Sequence, residues 1–259
     1  MDRKPQIIFE DEHILVINKP SGMTVNRSET TRSEYTLQDW VEEYLGIKKI
    51  SYPSEVEEDS DSEKAFFSRS GIVHRIDKET SGILLIAKNL ESFMALQAQF
   101  KARTVKKTYS ALAHGKVVPK EGEINVPVGR LPWKRKHFGV VAGGRESKTL
   151  YKVIAYYQLP NKKKEILSLL EVNPVTGRTH QIRVHFQYLG HPLFADFLYA
   201  GRKTQREDRK LLSRVFLHAD RISFHHPLTN NLLTFEAPLP PELRNILQLL
   251  KKINDDGSV

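Results

Sequence analysis

Apolar residues in this chain come in short runs divided by polar turns, with a few longer stretches at helical spacing. Ile7-Ile8-Phe9 and Ile14-Leu15-Val16-Ile17 flank the polar Glu10–His13 segment and read as two strands; Lys19-Pro20-Ser21-Gly22 closes the second. From Thr36 to Gly46 the apolar residues Leu37, Trp40, Val41 and Tyr44 recur at helical spacing, with Thr36 as N-cap and Gly46 as the stop. Ile83-Leu84-Leu85-Ile86-Ala87 is a continuous apolar run after a glycine, the pattern of a buried strand. Asn89 then caps a helix running to about Arg103. Strands are expected over residues 107–115, 150–158 and 166–172, the last two joined by the turn 161–164. Thr179 opens a short helix that Gly190 ends, and Pro240-Pro241 opens a last one bearing Leu243, Ile246, Leu247 and Leu250.

Two segments lack such a pattern. Residues 47–69 hold Pro53 and the run Glu55–Glu63, with six acids and no base, and are expected to form a flexible acidic insertion. Residues 253–259 read as a polar tail. The formal charge of the whole chain is +9, and setting aside the −6 of that run leaves +15. A surplus of that size suits a polyanion partner, with nucleic acid as the leading candidate. The chain has no cysteine, which excludes disulfides, thiol catalysis and Cys-ligated zinc. No apolar run approaches a membrane span, and the N-terminus lacks the core of a signal peptide, so a cytoplasmic protein away from membranes is expected, with monomer as the default oligomeric state.

The chemistry-bearing stretch is Gly71–Lys88. His74-Arg75-Ile76-Asp77 and Thr80-Ser81-Gly82 lead into the buried run, so an arginine and a carboxylate sit on a loop carried by a core strand. The string resembles the catalytic motif of the RluA-type pseudouridine synthases, departing only by Ile76 in place of leucine. A second long string, Thr176-Gly177-Arg178-Thr179-His180-Gln181-Ile182-Arg183-Val184-His185, is similar to another motif of the same family. Lys19-Pro20-Ser21-Gly22, Lys107-Thr108-Tyr109, Pro127-Val128-Gly129-Arg130 and Leu217-His218-Ala219 match shorter ones. The resemblance spans about residues 7–240. Some relatives carry an N-terminal S4 RNA-binding module, and this chain begins too close to its first strand to be expected to hold one.

What the resemblance implies is isomerisation of uridine to pseudouridine in ribosomal or transfer RNA. Asp77 would be the nucleophile, attacking ribose C1′ or uracil C6. Arg183 would pair with it and keep it charged. Tyr109 would stack on the base and place its hydroxyl for proton transfer. The base must leave its stack to be reached, and Arg75 would fill the vacated space. His74, Arg178, His180 and Gln181 join the RNA-binding set, and Leu217 would line the uracil pocket. Arg130, Lys134, Arg135 and Lys136 surround Trp133, and cations interleaved with an aromatic suit phosphates and an unpaired base. The reaction involves no redox step and no cofactor. His180 and His185 are spaced i, i+5 with no carboxylate cluster, so no metal is expected.

The implied fold is α+β: a mixed, mostly antiparallel sheet flanked by helices, with a catalytic cleft between two halves of one domain over residues 1–259. Two other readings compete. A non-catalytic RNA-binding protein or RNA chaperone explains the charge equally well but gives an acid among phosphates no use. A glycosidase-like hydrolase would need a second working carboxylate, and Asp196, in the stretch Gly190–Tyr199 that follows a further family pattern apart from Ala195, is the only other acid inside a family-like motif.

Overall fold

The structure is a computed structural model that describes residues 4–28, 33–46, 61–132, 134, 137–160 and 165–254. Its chain divides into two compact units, one of residues 1–105 and 222–237, the other of residues 106–221 and 238–259.

The first unit opens with the two expected strands, β1 (Gln6–Glu10) and β2 (Ile14–Lys19). Asp11 makes the turn between them, its Oδ1 accepting from the backbone N–H groups of His13 and Ile14 at 2.7 and 2.8 Å. Helix α1 (Leu37–Leu45) carries the expected caps: Thr36 and Asp39 form a reciprocal capping box, and Gly46 closes the helix in the left-handed region. Its buried face is Leu37, Gln38, Val41 and Glu42, one position round from the apolar stripe read in the sequence. Trp40 and Tyr44 stack on each other instead, with centroids 5.1 Å apart, and Tyr44 is exposed. Each ring covers the other, so the core takes two polar residues that hydrogen-bond inside it.

Residues 61–69, expected to belong to the flexible insertion, form helix α2 (Asp61–Arg69). Phe66 is the reason: it packs edge-on against Phe93 at 5.5 Å and belongs to the core, and an aromatic anchor outweighs the charge of the run before it. Residues 47–60 lie outside the described residues. Strand β3 (Ser81–Ala87) is buried at every position and pairs antiparallel with β2, Ile14 opposite Ala87 and Lys19 opposite Gly82. Helix α3 (Leu90–Lys101) follows, with Asn89 Oδ1 accepting from Ser92 N–H at 2.9 Å. Phe93 and Leu96 pack on Ile83, Leu85 and Ala87 of β3.

The second unit is built on β4 (Lys106–His114), β8 (Lys148–Gln158) and β9 (Ile166–Pro174), reached through β5 (Glu121–Asn125), β6 (Val128–Arg130) and β7 (Phe138–Val140). Strand β9 pairs with β4 on one side and β8 on the other, β5 pairs with β8, and β6 and β7 form a separate hairpin. Helices α4 (Gln181–Tyr188) and α5 (Arg202–Asp208) come next. Strand β10 (Leu217–His225) begins in the second unit and finishes in the first, where it pairs with β11 (Leu232–Glu236). Helix α6 (Pro241–Leu249) returns to the second unit and packs Leu243 and Ile246 against Leu112, Leu167 and Phe216. The expected polar tail starts later than read: Ile253 is buried in β12 (Lys251–Ile253), opposite Tyr156 of β8, and residues 255–259 lie outside the described residues. The pairings named within each unit by register are antiparallel, and the class is α+β as expected. Among the described residues no helix is long and apolar enough to cross a membrane.

One glycine tests how tightly β3 holds the Asp77 loop. Gly71 has φ +76°, and a Cβ there would meet Ala87 O at 2.0 Å, while Gly71 O accepts from Ala87 N–H at 2.9 Å. Gly71→Ala is expected to destabilise the protein by about 1–3 kcal/mol from backbone strain alone, before the steric clash is added. Urea unfolding measures it as a fall in the midpoint at unchanged slope.

Candidate active site

In the first unit the Asp77 loop is pinned by the chain end of β2. Lys19 is wholly buried, and its ammonium donates to the carbonyls of Pro20 (2.8 Å), Met23 (2.9 Å) and Lys78 (3.3 Å). Ser21 Oγ donates to Glu79 O at 2.7 Å, and Gly22 N–H donates to Lys78 O at 2.7 Å. The Lys-Pro-Ser-Gly segment therefore grips the two residues after Asp77, whose own carbonyl accepts from Thr80 N–H at 3.1 Å to close the turn. Asp77 is half-buried and Arg75 is exposed. His74 lies on the inner side: its Nε2 accepts from Leu85 N–H at 2.9 Å, and its ring stacks on Phe100 with centroids 4.9 Å apart. These bonds make His74 a tie between the loop and β3.

In the second unit the second long motif wraps the start of α4. Arg183 is 3% exposed and Asp196 0%. Arg183 Nε donates to Asp196 Oδ2 at 2.7 Å and Nη2 to Oδ1 at 2.8 Å, a bidentate pair. Asp196 Oδ1 also accepts from the backbone N–H groups of Leu198 and Tyr199. The guanidinium lies 5.0 Å from the centroid of the Tyr199 ring, so it is held on an edge by a carboxylate and on a face by an aromatic. Tyr199 Oη accepts from Phe138 N–H at 3.2 Å and sits 2.8 Å from His180 Nδ1, linking the β6–β7 hairpin to the helix start. Asp196 is thereby committed to Arg183 and the backbone, which counts against it as a second working acid of a glycosidase.

Gln181 and His185 also face inward. Gln181 Oε1 accepts from Thr176 Oγ1 and Arg178 N–H, and Nε2 donates to Lys148 O and Thr149 Oγ1, so its amide spends all four bonds inside the unit. His185 sits between Thr149 Oγ1 (2.9 Å) and Val126 O (3.2 Å), and burial lowers its pKa, favouring the neutral ring. His180 takes φ +57° at the helix start.

Tyr109 is 8% exposed on β4, opposite Val172. Lys107, two residues earlier, is half-buried, and its ammonium is 3.9 Å from where a Gly177 Cβ would stand. Desolvation by burial lowers its pKa to about 8. Leu217 is buried at the start of β10. Arg130 is exposed at the end of β6 with its guanidinium 5.4 Å from the Phe138 ring, and Lys134 is exposed. Arg178 is half-buried, its Nε donating to Glu146 O at 3.2 Å. Trp133, Arg135 and Lys136 lie outside the described residues.

Among the described residues, His114, Glu165 and Asp208 are a group of metal-ligating types within reach of one another. Their geometry is a hydrogen-bonded chain. His114 Nδ1 is 3.1 Å from Glu165 and Nε2 is 2.8 Å from Asp208, so the ring lies between the carboxylates, and Asp208 Oδ2 also accepts from Ala195 N–H. Sequence reasoning missed what Lys19, Asp196 and Tyr199 do. A lysine continuing an apolar strand straight into Pro20 was the available sign for Lys19; nothing in the spacing announces that Asp196 meets Arg183.

The family model described as RNA pseudouridylate synthase matches residues 13–188. An uncharacterized RNA pseudouridine synthase of Bacillus subtilis, YhcT, is 38% identical over 247 residues, covering 93% of this chain and 70% of the relative. The ribosomal large subunit pseudouridine synthase D of Neisseria meningitidis serogroup B is 36% identical over 252 residues; the match covers 95% of this chain and 61% of that longer protein. Among solved structures, human RNA pseudouridylate synthase domain containing 1 superposes with a TM-score of 0.69 at 24% identity, over 96% of this chain and 89% of that one, and supports the fold.

Two outcomes follow from the buried charges. Asp196→Ala strands the Arg183 guanidinium in the interior, and a loss of about 3–5 kcal/mol is expected in urea unfolding. Lys107 releases its proton near pH 8 in the folded chain but near 10.5 in the unfolded one. Between those values the unfolded chain binds more protons, so stability rises with pH. Measured against Lys107→Met by denaturation at a series of pH values, the wild type is expected to gain stability across that window.

Proposed function

The chain belongs to the RNA pseudouridylate synthase family, and on that premise we propose that it isomerises uridine to pseudouridine in RNA. The observation that carries the reading is the Asp77 loop: a half-buried carboxylate beside an exposed arginine, on a turn clamped by the buried Lys19 ammonium and hung from an entirely buried strand. A nucleophile that must meet a flipped base needs such fixed placement, since misplacement is costly in rate.

In the proposed reaction Asp77 attacks the target nucleoside, the N1–C1′ bond breaks, the uracil turns, and C5 bonds to C1′. The hydrogen at C5 is then lost to water. No electron acceptor is consumed, and no metal or cofactor enters the scheme. Tyr109, on β4, is assigned to the base face and the C5 proton. Arg183, on α4, is assigned to the countercharge of Asp77; its two bonds to Asp196 use two of its five N–H donors. Arg75 is assigned to the space the flipped base vacates. Arg130, Lys134 and Arg178 are assigned to the RNA backbone, together with the Trp133, Arg135 and Lys136 stretch, and Leu217 to a wall of the uracil pocket. Gln181, His180 and His74 support these groups by ordering the loops that bear them. Ribosomal RNA is the proposed target, since several relatives are named for the large ribosomal subunit. Action as a monomer in the cytoplasm completes the proposal.

The deciding experiment is tritium release from RNA labelled at uracil C5, purified from cells lacking the gene. Wild-type protein is expected to release tritium and Asp77→Ala to release none. Binding without release by the wild type would sink the catalytic reading and leave a non-catalytic RNA-binding protein.

A further inference from the structure

Within the first unit a cavity of about 400 Å³ opens beside the Asp77 loop, and its lining is cationic. Arg27, Arg69 and Arg75 line it together with Asn26, Gln38, Ser68, Ile72 and His74. Arg27 is balanced: it pairs with Asp39 at 3.0 Å and with Glu42. Arg69 and Arg75 have no ion-pair partner among the described residues, and both are exposed. Two cations that share one cavity and have no ion-pair partner among the described residues repel each other, and an anion between them lowers that cost.

The cavity is also built rigidly. Glu42 accepts from Ser70 Oγ at 2.5 Å as well as from Arg27, and the buried Gln38 donates to Ser68 O at 3.0 Å and Ser70 Oγ at 3.2 Å. At the end of α2, Ser70 and Gly71 both take positive φ, and Arg69 O accepts from Ile72 N–H at 3.0 Å. The backbone carrying Arg69 is therefore fixed relative to the loop carrying Arg75. The buried polar face of α1, Gln38 and Glu42, which the apolar stripe did not foresee, serves this wall.

We propose that this cavity is a phosphate subsite for the RNA strand, in which Arg69 grips the phosphodiester beside the nucleotide whose vacated space Arg75 fills. Guanidinium forks match phosphate oxygens in pairs, and Asn26 supplies a neutral donor. The proposal rests on RNA being the substrate. It adds Arg69, a residue none of the family-like motifs contains, as a determinant of RNA binding with no part in the chemistry.

The test pairs two measurements on the full chain with Arg69→Gln, which keeps helix propensity and removes the charge. Fluorescence anisotropy with a short labelled oligouridylate, across a series of KCl concentrations, gives the salt slope of binding. Loss of one phosphate contact is expected to flatten that slope by about 0.7 for single-stranded RNA and to weaken affinity roughly tenfold. In the tritium-release assay KM is expected to rise with kcat unchanged. Arg69→Lys is expected to keep the slope while losing part of the affinity, because it keeps the charge without the fork. An unchanged slope in Arg69→Gln, or a fall in kcat alone, overturns the subsite. Absence of tritium release by the wild type would overturn the function proposed above and leave the anisotropy slope to judge the cavity by itself.

Discussion

A single buried ammonium carries more of this structure than its size suggests. Lys19 is the last residue of β2, and from there it donates to the carbonyls of Pro20, Met23 and Lys78. An unpaired charge in that position would be heavily penalised, so the surrounding carbonyls must converge on it. Their convergence draws the 20–23 turn and the residues after Asp77 onto one point. Pairing of β2 with β3 fixes the end of the same loop, where it enters β3, with Lys19 opposite Gly82. The Asp77 carboxylate is thus held between a strand register and a charge that cannot be left unsatisfied.

The second unit solves the same problem with a different ion. Arg183 is buried on α4 and is satisfied edge-on by Asp196 and face-on by Tyr199. Gln181 and His185, neighbours in the same motif, spend their bonds on Thr149, Thr176, Lys148 and Val126. Long signature motifs in this protein are therefore only partly about chemistry. Several of their polar residues hold loops in place, while Arg75 is exposed. A buried polar group with all its bonds made is a stiff positioning device, because any shift leaves a donor or acceptor unpaired.

Local patterns were legible where one force dominated. The buried run at 83–87 appears as β3, the Asn89 and Thr36 caps stand where expected, and Gly190 ends α4 with positive φ. Where two forces competed the reading failed. Acidic composition hid α2, whose Phe66 is inserted among residues far away in sequence. Aromatic stacking of Trp40 on Tyr44 turned α1 and buried Gln38 and Glu42 in place of the rings. The short strands β5, β6 and β7 carry too few alternating positions to announce themselves.

The sequence by itself determined the family and the reaction class, because long motifs are strings of adjacent residues and need no folding to be read. The α+β class came with the same resemblance, and the order of strand-like and helix-like runs agrees with it. Only the tertiary structure decided which motif residues face inward, that Asp196 belongs to Arg183, and that Arg69 lines the cavity to which Arg75 also belongs. Each of those facts depends on side chains brought together across a turn or from different elements, and hydrogen-bond satisfaction at short range is settled only once the backbone has placed both partners.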